Sequence, residues 1–370
     1  MRKVIVVGGG IGGLTAAAAF KRAGWSVRVV ERAERLSEVG SGLALAPNAL
    51  RVLDALGIGD SVRALSRIQG DGGIRKPDGT WLNRSSAEAA QARFAEPTVI
   101  LLRAALVDLL ASLLTDAELR LGTEVTGVDA TSGKVTTSSG EEEGDLVVAA
   151  DGIWSRIRRG LFPEHPEPRY TGLTAWRMLA DAPGLSVPFG ETWGRGLVFG
   201  VMPVAGDQVY CYATAPAPEG EVADDEKAVL DRLFGGWHPD VAIPLAAVDP
   251  TRILRNDVHA MVRPLPAMHH GRVAILGDAA HPMTPNLGQG ACQAIEDAIV
   301  LAHTAARGAP LVEYTAARLS RTTRIARTSR LIGRLTRLTG PVAVTARDAL
   351  LRLPGLNAAD SVFGWHPPTD

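Results

Sequence analysis

The sequence predicts an α/β protein: a Rossmann-like nucleotide-binding fold interrupted by a mainly β domain and followed by a C-terminal helical region. Three observations lead there. The apolar run Lys3 to Val7 feeds Gly8, Gly10 and Gly13 at G-x-G-x-x-G spacing, ahead of the small-residue stretch Leu14 to Phe20. Far along the chain, Arg272 to Leu276 reads as a second buried strand ending at Gly277-Asp278, with a helix opening near Ala291. Between them, Thr171 to about Val258 holds short apolar runs separated by turns rich in Gly, Pro and Asp, the pattern of sheet strands.

Each glycine of the first motif has its own reason to be one. Gly8 makes the tight turn, Gly10 removes a side chain that would block a pyrophosphate, and Gly13 lets helix and strand pack closely. The next strand, Ser26 to Val30, ends in Glu31, whose carboxylate is placed to accept hydrogen bonds from a ribose 2′-OH. A 2′-phosphate there would face like charge.

A helix near Asn48 to Leu56 follows, then an irregular stretch from Gln69 to Ala95, then a helical pattern from Leu101 to Leu114 with Arg103 near its start. Strands near Gly122–Asp129 and Lys134–Ser138 suggest a small appended sheet, before the buried run Leu146 to Ala150 ends at Asp151-Gly152. The implied division is 1–170 and 258–307 for the nucleotide domain, 171–257 for the inserted domain and 308–370 for the helical region. Residues 70–95 are an alternative contribution to the inserted side.

At the second glycine cluster, Asp278 stands at a strand end. Pro285, Gly288, Gln289 and Gly290 precede a helix whose first N–H groups are unpaired, and the two glycines let a ligand approach the backbone. A polar, partly anionic ligand suits such a site.

With 370 residues, 46% hydrophobic and 21% charged, the chain can bury a substantial core. A net charge of −1 gives no bulk attraction to nucleic acid or to an anionic membrane. No apolar run is long enough to span a bilayer, and a first strand at residue 3 leaves no room for a signal peptide, so the expected location is cytoplasmic. Cys211 and Cys292 are too few and too separated for a metal cluster and are read as packing residues. Seven arginines between Arg318 and Arg337, interleaved with apolar residues, mark a long helix. It either lies across the protein or offers a basic face to a membrane or nucleic acid.

These residues resemble the single-component flavoprotein aromatic hydroxylases, the group of p-hydroxybenzoate, salicylate, 3-hydroxybenzoate and urate hydroxylases. Gly8-x-Gly10-x-x-Gly13 with Glu31 matches the ADP-binding fingerprint for FAD. Asp151-Gly152-Ile153-Trp154-Ser155-Arg156-Ile157-Arg158 matches the D-G-x-x-S-x-x-R motif. Gly277-Asp278-Ala279-Ala280-His281-Pro282 with Pro285 to Gly290 matches G-D-A-A-H-x-x-x-P-x-x-G-Q-G.

The resemblance implies noncovalent FAD, with NADH or NADPH as a transient reductant and O2 as co-substrate. It places Asp278 at the ribityl chain, Pro285 to Gly290 along the isoalloxazine, and Arg103 at cofactor phosphate or ribityl groups. Asp151 would serve FAD and nicotinamide binding, while Arg158 supports the fold and His281 acts within its loop. The implied activity is hydroxylation of an aromatic or heteroaromatic small molecule through a C4a-hydroperoxyflavin. Epoxidation or oxidative tailoring of a larger natural product, and a flavin-dependent redox sensor or binding protein, are the alternatives. No nucleic-acid partner and no stable membrane association are expected.

The inserted domain should supply the substrate groups. Arg177 and Tyr210 are the polar candidates because each interrupts a strand pattern. The substrate-binding arginine of urate hydroxylase corresponds to Val198 here, so the preferred substrate should be less anionic or more apolar than urate.

Overall fold

The computed structural model describes every residue except 37–40, 69–70, 87, 89–91, 93–95, 97, 354–359 and 370. At its centre, the strand Lys3–Val7 pairs in parallel with Ser26–Val30 on one side and Leu146–Ala149 on the other. Val273–Ile275 extends this sheet beside Leu146–Ala149, also in parallel, so residues from both ends of the chain build one nucleotide-binding layer. Its strands are unbroken apolar runs because both faces are covered: Val4, Ile5, Val6, Val147 and Val148 are all fully buried.

Helices Ile11–Arg22 and Gly290–Ala306 pack against each other through small residues. A Cβ on Gly12 would lie 2.8 Å from Leu276 Cδ1 and 3.1 Å from Ala294 Cβ. Any larger residue would force the helices apart, and with them the two glycine-rich segments. The α/β class and its interrupted nucleotide-binding fold are thereby observed.

A seven-stranded sheet stands beside this layer, in the order Leu254–Ala260, Arg169–Asp181, Gln208–Pro216, Val198–Pro203, Phe189–Trp193, Gly72–Arg75, Trp81–Ser85. Two of its strands come from the stretch after residue 70. Phe189–Trp193 pairs in parallel with Gly72–Arg75, a partner 117 residues upstream at Gly72↔Phe189 that no local pattern announces.

The sheet's outer face, with Trp176, Met178, Phe199 and Cys211, packs on Leu230 and Phe234 of helix Glu226–Phe234 and on Val241 and Leu245 of helix Pro239–Ala246. Its inner face, with Leu179 and Tyr210, packs on Ile100 of the nucleotide side. Ile100 lies in a strand, Val99–Leu102, where a helix was expected to begin at Leu101. That segment pairs with Gly42–Leu45, and the helix starts only at Arg103.

The chain ends in helices Leu311–Thr336, Pro341–Leu351 and Asp360–Phe363. The arginine-rich face is in good part internal. Arg318 is fully buried and Arg321 is 8% exposed. Arg330 donates to Met261 O and Arg337 to Thr171 O, tying the long helix to the other two parts. Among the described residues no helix is long and apolar enough to cross a membrane.

Candidate active site

The first glycine motif is shaped by what surrounds each missing side chain. Gly8 has φ +110°, and a Cβ there would fall 2.3 Å from Ala150 O. A Cβ on Gly13 would fall 2.0 Å from Gly8 O. Both are therefore demanded by packing. Gly10 differs: at the start of helix Ile11–Arg22, its Cβ would meet nothing within 4 Å, so its bareness serves something outside the protein's own packing. Glu31 accepts the N–H of Gly9 at 2.6 Å and of Ala33 at 2.8 Å, one on each oxygen. A carboxylate offers about four lone-pair sites, so capacity remains for ribose hydroxyls.

Asp151 lies where Leu146–Ala149 ends. Its Oδ2 accepts the Ile157 N–H at 3.3 Å, capping the short helix Arg156–Leu161 together with Ser155. Among the described residues its Oδ1 is buried without a hydrogen-bond partner, a costly state that a donor from a bound ligand would relieve. Arg158 is nearly fully buried and donates to Ile153 O, Ala279 O and Glu167, so it links the Asp151 motif to the Gly277-Asp278 loop. Arg103, half-buried at the start of its helix, forms no ion pair among the described residues.

The Gly277–Ala279 turn exposes the Asp278 carboxylate. A Cβ on Gly290 would find only Asp278 Oδ1, at 4.0 Å, so Asp278 stands beside the N-terminus of helix Gly290–Ala306. Pro285 opens the single turn Pro285–Leu287, and Gly288 closes it in the left-handed region at φ +61°, with open space where a side chain would be. Gln289 turns its side chain away, into the protein, where Oε1 accepts from Asn48 and Gln293 at 3.1 Å each. From this loop a ligand therefore meets backbone and the unpaired first N–H groups of the helix.

Beneath the loop lies a buried ionic network that the sequence did not reveal. Asp297 accepts from Gly277 N at 3.0 Å, His281 Nε2 at 2.6 Å and Arg318 Nε at 2.6 Å. Burial alone would raise its pKa, but His281 and Arg318 overcome that and hold it at about 2. Glu296 accepts from Asn48, Gln293, Arg318 and Arg321. The arginines thus find their partners on the helix that follows the second glycine cluster. His281 belongs to this scaffold through Nε2. Cys211 and Cys292 are buried free thiols with raised pKa values, as packing residues are.

The inner face of the broad sheet brings Arg177 and Tyr210 together. Arg177 pairs across strands with Tyr212, and Leu179 with Tyr210, so all four share that face. Tyr210 packs against Gly42 of the nucleotide side, where a Cβ would fall 2.4 Å from its Cγ. Burial pushes its phenol up to about 12, against the pull of Arg177 in the other direction. It keeps its proton at neutral pH and can donate a hydrogen bond. Arg177 Nη1 donates to Asn256 Oδ1 at 3.2 Å.

Val198, Gly200 and Met202 continue this face, and so does Glu191, which sequence reasoning missed. The alternation of Tyr210 and Tyr212 was a readable sign of a second tyrosine on it; nothing local marked Glu191.

A bare Gly10, an orphaned buried carboxylate oxygen and a helix N-terminus flanked by left-handed Gly288, all on one sheet, fit a long dinucleotide with a second aromatic end. Fold and site define a flavoprotein monooxygenase. A model of the FAD binding domain family matches residues 1–328. The chain is 38% identical to aurachin C monooxygenase/isomerase from Stigmatella aurantiaca over 369 residues, 97% of this chain and 96% of that protein. It is 33% identical to 2-heptyl-3-hydroxy-4(1H)-quinolone synthase from Pseudomonas aeruginosa over 370 residues, 95% and 94% of the two chains. A Klebsiella pneumoniae protein crystallised with FAD and uric acid superimposes with a TM-score of 0.87 at 29% identity, covering 98% of this chain and 95% of that one. The chain belongs to the FAD binding domain family, as an FAD-dependent monooxygenase of the aromatic hydroxylase group.

Proposed function

We propose that this enzyme uses NADH or NADPH and O2 to hydroxylate an uncharged aromatic or heteroaromatic small molecule held between the broad sheet and the flavin. The observation that carries the reading is the inner sheet face. It is apolar at Leu179, Val198 and Met202, while Arg177, hydrogen-bonded to the neutral amide of Asn256, keeps its charge. An anionic ring would find no free charge partner at Val198, and burying an unpaired charge is expensive. The name of one relative, 2-heptyl-3-hydroxy-4(1H)-quinolone synthase, points the same way, toward an alkyl-bearing heteroaromatic.

Bound FAD supplies activated oxygen at its C4a position. The chain's part is to hold and orient. We assign Gly8, Gly10, Gly13 and Glu31 to the ADP portion, Arg103 and Asp151 to its polar linker, and Asp278 to the ribityl chain. Backbone from Pro285 through Gly288, Gln289 and Gly290 would line the isoalloxazine, where the helix N-terminus would favour negative charge on the reduced ring. Tyr210 donates a hydrogen bond to a substrate oxygen and Arg177 orients the ring.

Oxidative tailoring or epoxidation of a larger natural product is the second reading, favoured by the end-to-end match to the aurachin enzyme. The test is turnover: FAD-loaded protein, NADH or NADPH, and a panel of 2-heptyl-4(1H)-quinolone, salicylate and urate. Mass spectrometry should show one added oxygen on the quinolone. Oxygenation of the two acids alone would refute the uncharged-substrate reading, and added oxygen on none would refute hydroxylation of this class.

A further inference from the structure

Tyr212 reaches Glu191 by crossing a glycine. In the register of the broad sheet, Tyr212 pairs with Gly200, and Gly200 with Glu191, so the three stand in line on the inner face. A Cβ on Gly200 would fall 2.1 Å from both Cε1 and Cζ of Tyr212, so the ring lies flat over that strand. Its hydroxyl meets Glu191 Oε1, and Trp193 Nε1 donates to Oε2 at 2.7 Å. Both Tyr212 and Glu191 are half-buried and keep some accessible surface. The rings of Tyr210 and Tyr212 are 6.0 Å apart, so this pair sits one side chain beyond the proposed substrate tyrosine.

The donor inventory decides what the pair presents. An indole N–H only donates, so Oε2 is an acceptor and a carboxyl proton belongs on Oε1, facing Tyr212. Burial raises the Glu191 pKa, partly offset by the bonds from Tyr212 and Trp193. In the neutral acid, Oε1–H donates to the Tyr212 oxygen and leaves the Tyr212 O–H free to point into the cavity. In the carboxylate that O–H would be held by Glu191.

We propose that Glu191 and Tyr212 form a polar anchor at the far end of the substrate cavity, in which Tyr212 donates to a carbonyl or hydroxyl oxygen of an uncharged ring. The anchor rests on the reading of this face as the substrate wall. It makes Tyr212 a specificity-determining residue and Glu191 the positioning residue that sets its donor direction.

Two probes that differ by one oxygen test it: 2-heptyl-4(1H)-quinolone and 2-heptylquinoline, titrated into the FAD-loaded protein and followed by perturbation of the flavin absorbance. Wild-type protein should bind the oxygen-bearing probe at least about tenfold more tightly, the scale of one buried hydrogen bond. Tyr212→Phe should erase that preference with FAD affinity unchanged. Glu191→Gln should keep it, because its amide N–H donates to Tyr212 while its oxygen accepts from Trp193, and Glu191→Ala should lose it.

Equal affinity of the wild type for both probes, no perturbation with either, a preference that survives Tyr212→Phe, or loss in Glu191→Gln as complete as in Glu191→Ala would each overturn the anchor. Because binding is read without turnover, absence of hydroxylated product alongside the expected binding pattern would refute the hydroxylase reading and leave the anchor standing.

Discussion

Gly200 lies directly beneath the ring of Tyr212, closer than any side chain would allow. Alanine at 200 should therefore push the ring off the strand and break its bond to Glu191. We expect Gly200→Ala to fold, at a cost of about 1–3 kcal/mol for the added methyl. Its flavin absorbance should respond to the quinolone probe about tenfold more weakly than wild type, with FAD still bound. A thermal melt separates the two effects. Unchanged response in a fully folded variant would show that the crossing does not matter to the cavity.

The orphaned Oδ1 of Asp151 makes a second prediction. If FAD supplies its missing donor, Asp151→Ala should weaken FAD binding about tenfold to a hundredfold, the loss of one charge-assisted hydrogen bond. The FAD-free protein should lose far less, since only the long bond to Ile157 N–H goes with it. Fluorescence titration of FAD together with melting of the apoprotein checks both halves. An affinity equal to wild type would assign Asp151 to helix capping alone.

Asp297 gives a pH prediction with a fixed sign. Its folded pKa of about 2 lies below the ordinary aspartate value, so its contribution to stability is fully present above about pH 4. It is lost as pH falls toward 2. Nearly two pKa units correspond to roughly 2 kcal/mol, which should vanish from the acid-unfolding curve in Asp297→Asn. Arg318→Met, which removes the cation shared by Asp297 and Glu296 and leaves them His281 and Arg321 respectively, should cost more, on the order of 3–5 kcal/mol. Denaturant unfolding at pH 7 and at about pH 2.5, inside the window where the contribution is lost, measures both. A variant Asp297→Asn whose stability falls with acid as steeply as wild type would contradict the assignment.

The parts of this protein that were legible are those fixed by short-range constraint. Gly8 and Gly13 could be read because a turn and a close helix–strand contact demand them at set spacing, and the parallel strands because burial on two faces leaves unbroken apolar runs. What stayed hidden depends on partners distant in sequence. Leu101 and Leu102 read as helix, yet Gly42–Leu45 draws them into a strand. Arg318 and Arg321 could be read as part of a helix lying across the protein or as a basic face for a membrane or nucleic acid, but not as the buried partners of Glu296 and Asp297. Helices Glu226–Phe234 and Pro239–Ala246 were missed in the inserted β segment although both begin with readable signals, the Asp225 cap and Pro239 in the first turn. Glu191 matters only because a glycine two residues from Val198 lets a tyrosine reach it.

Tyr210 and Arg177 share a face but should fail differently when changed. The Tyr210 phenol, held up to about 12, stays protonated and can donate throughout the neutral range. Tyr210→Phe removes that donor and leaves the packing on Gly42 intact, so kcat for oxygenated product should fall about tenfold or more with FAD affinity unchanged. Arg177→Ala frees Asn256 and removes a charge beside the cavity, so its main effect should be a higher KM and weaker substrate stimulation of NAD(P)H oxidation. Steady-state kinetics with product quantified alongside NAD(P)H consumption distinguishes the two. If both variants lose only thermal stability, with kcat, KM and coupling preserved in the folded fraction, the two residues hold the sheet to the nucleotide side and the substrate is oriented by other groups.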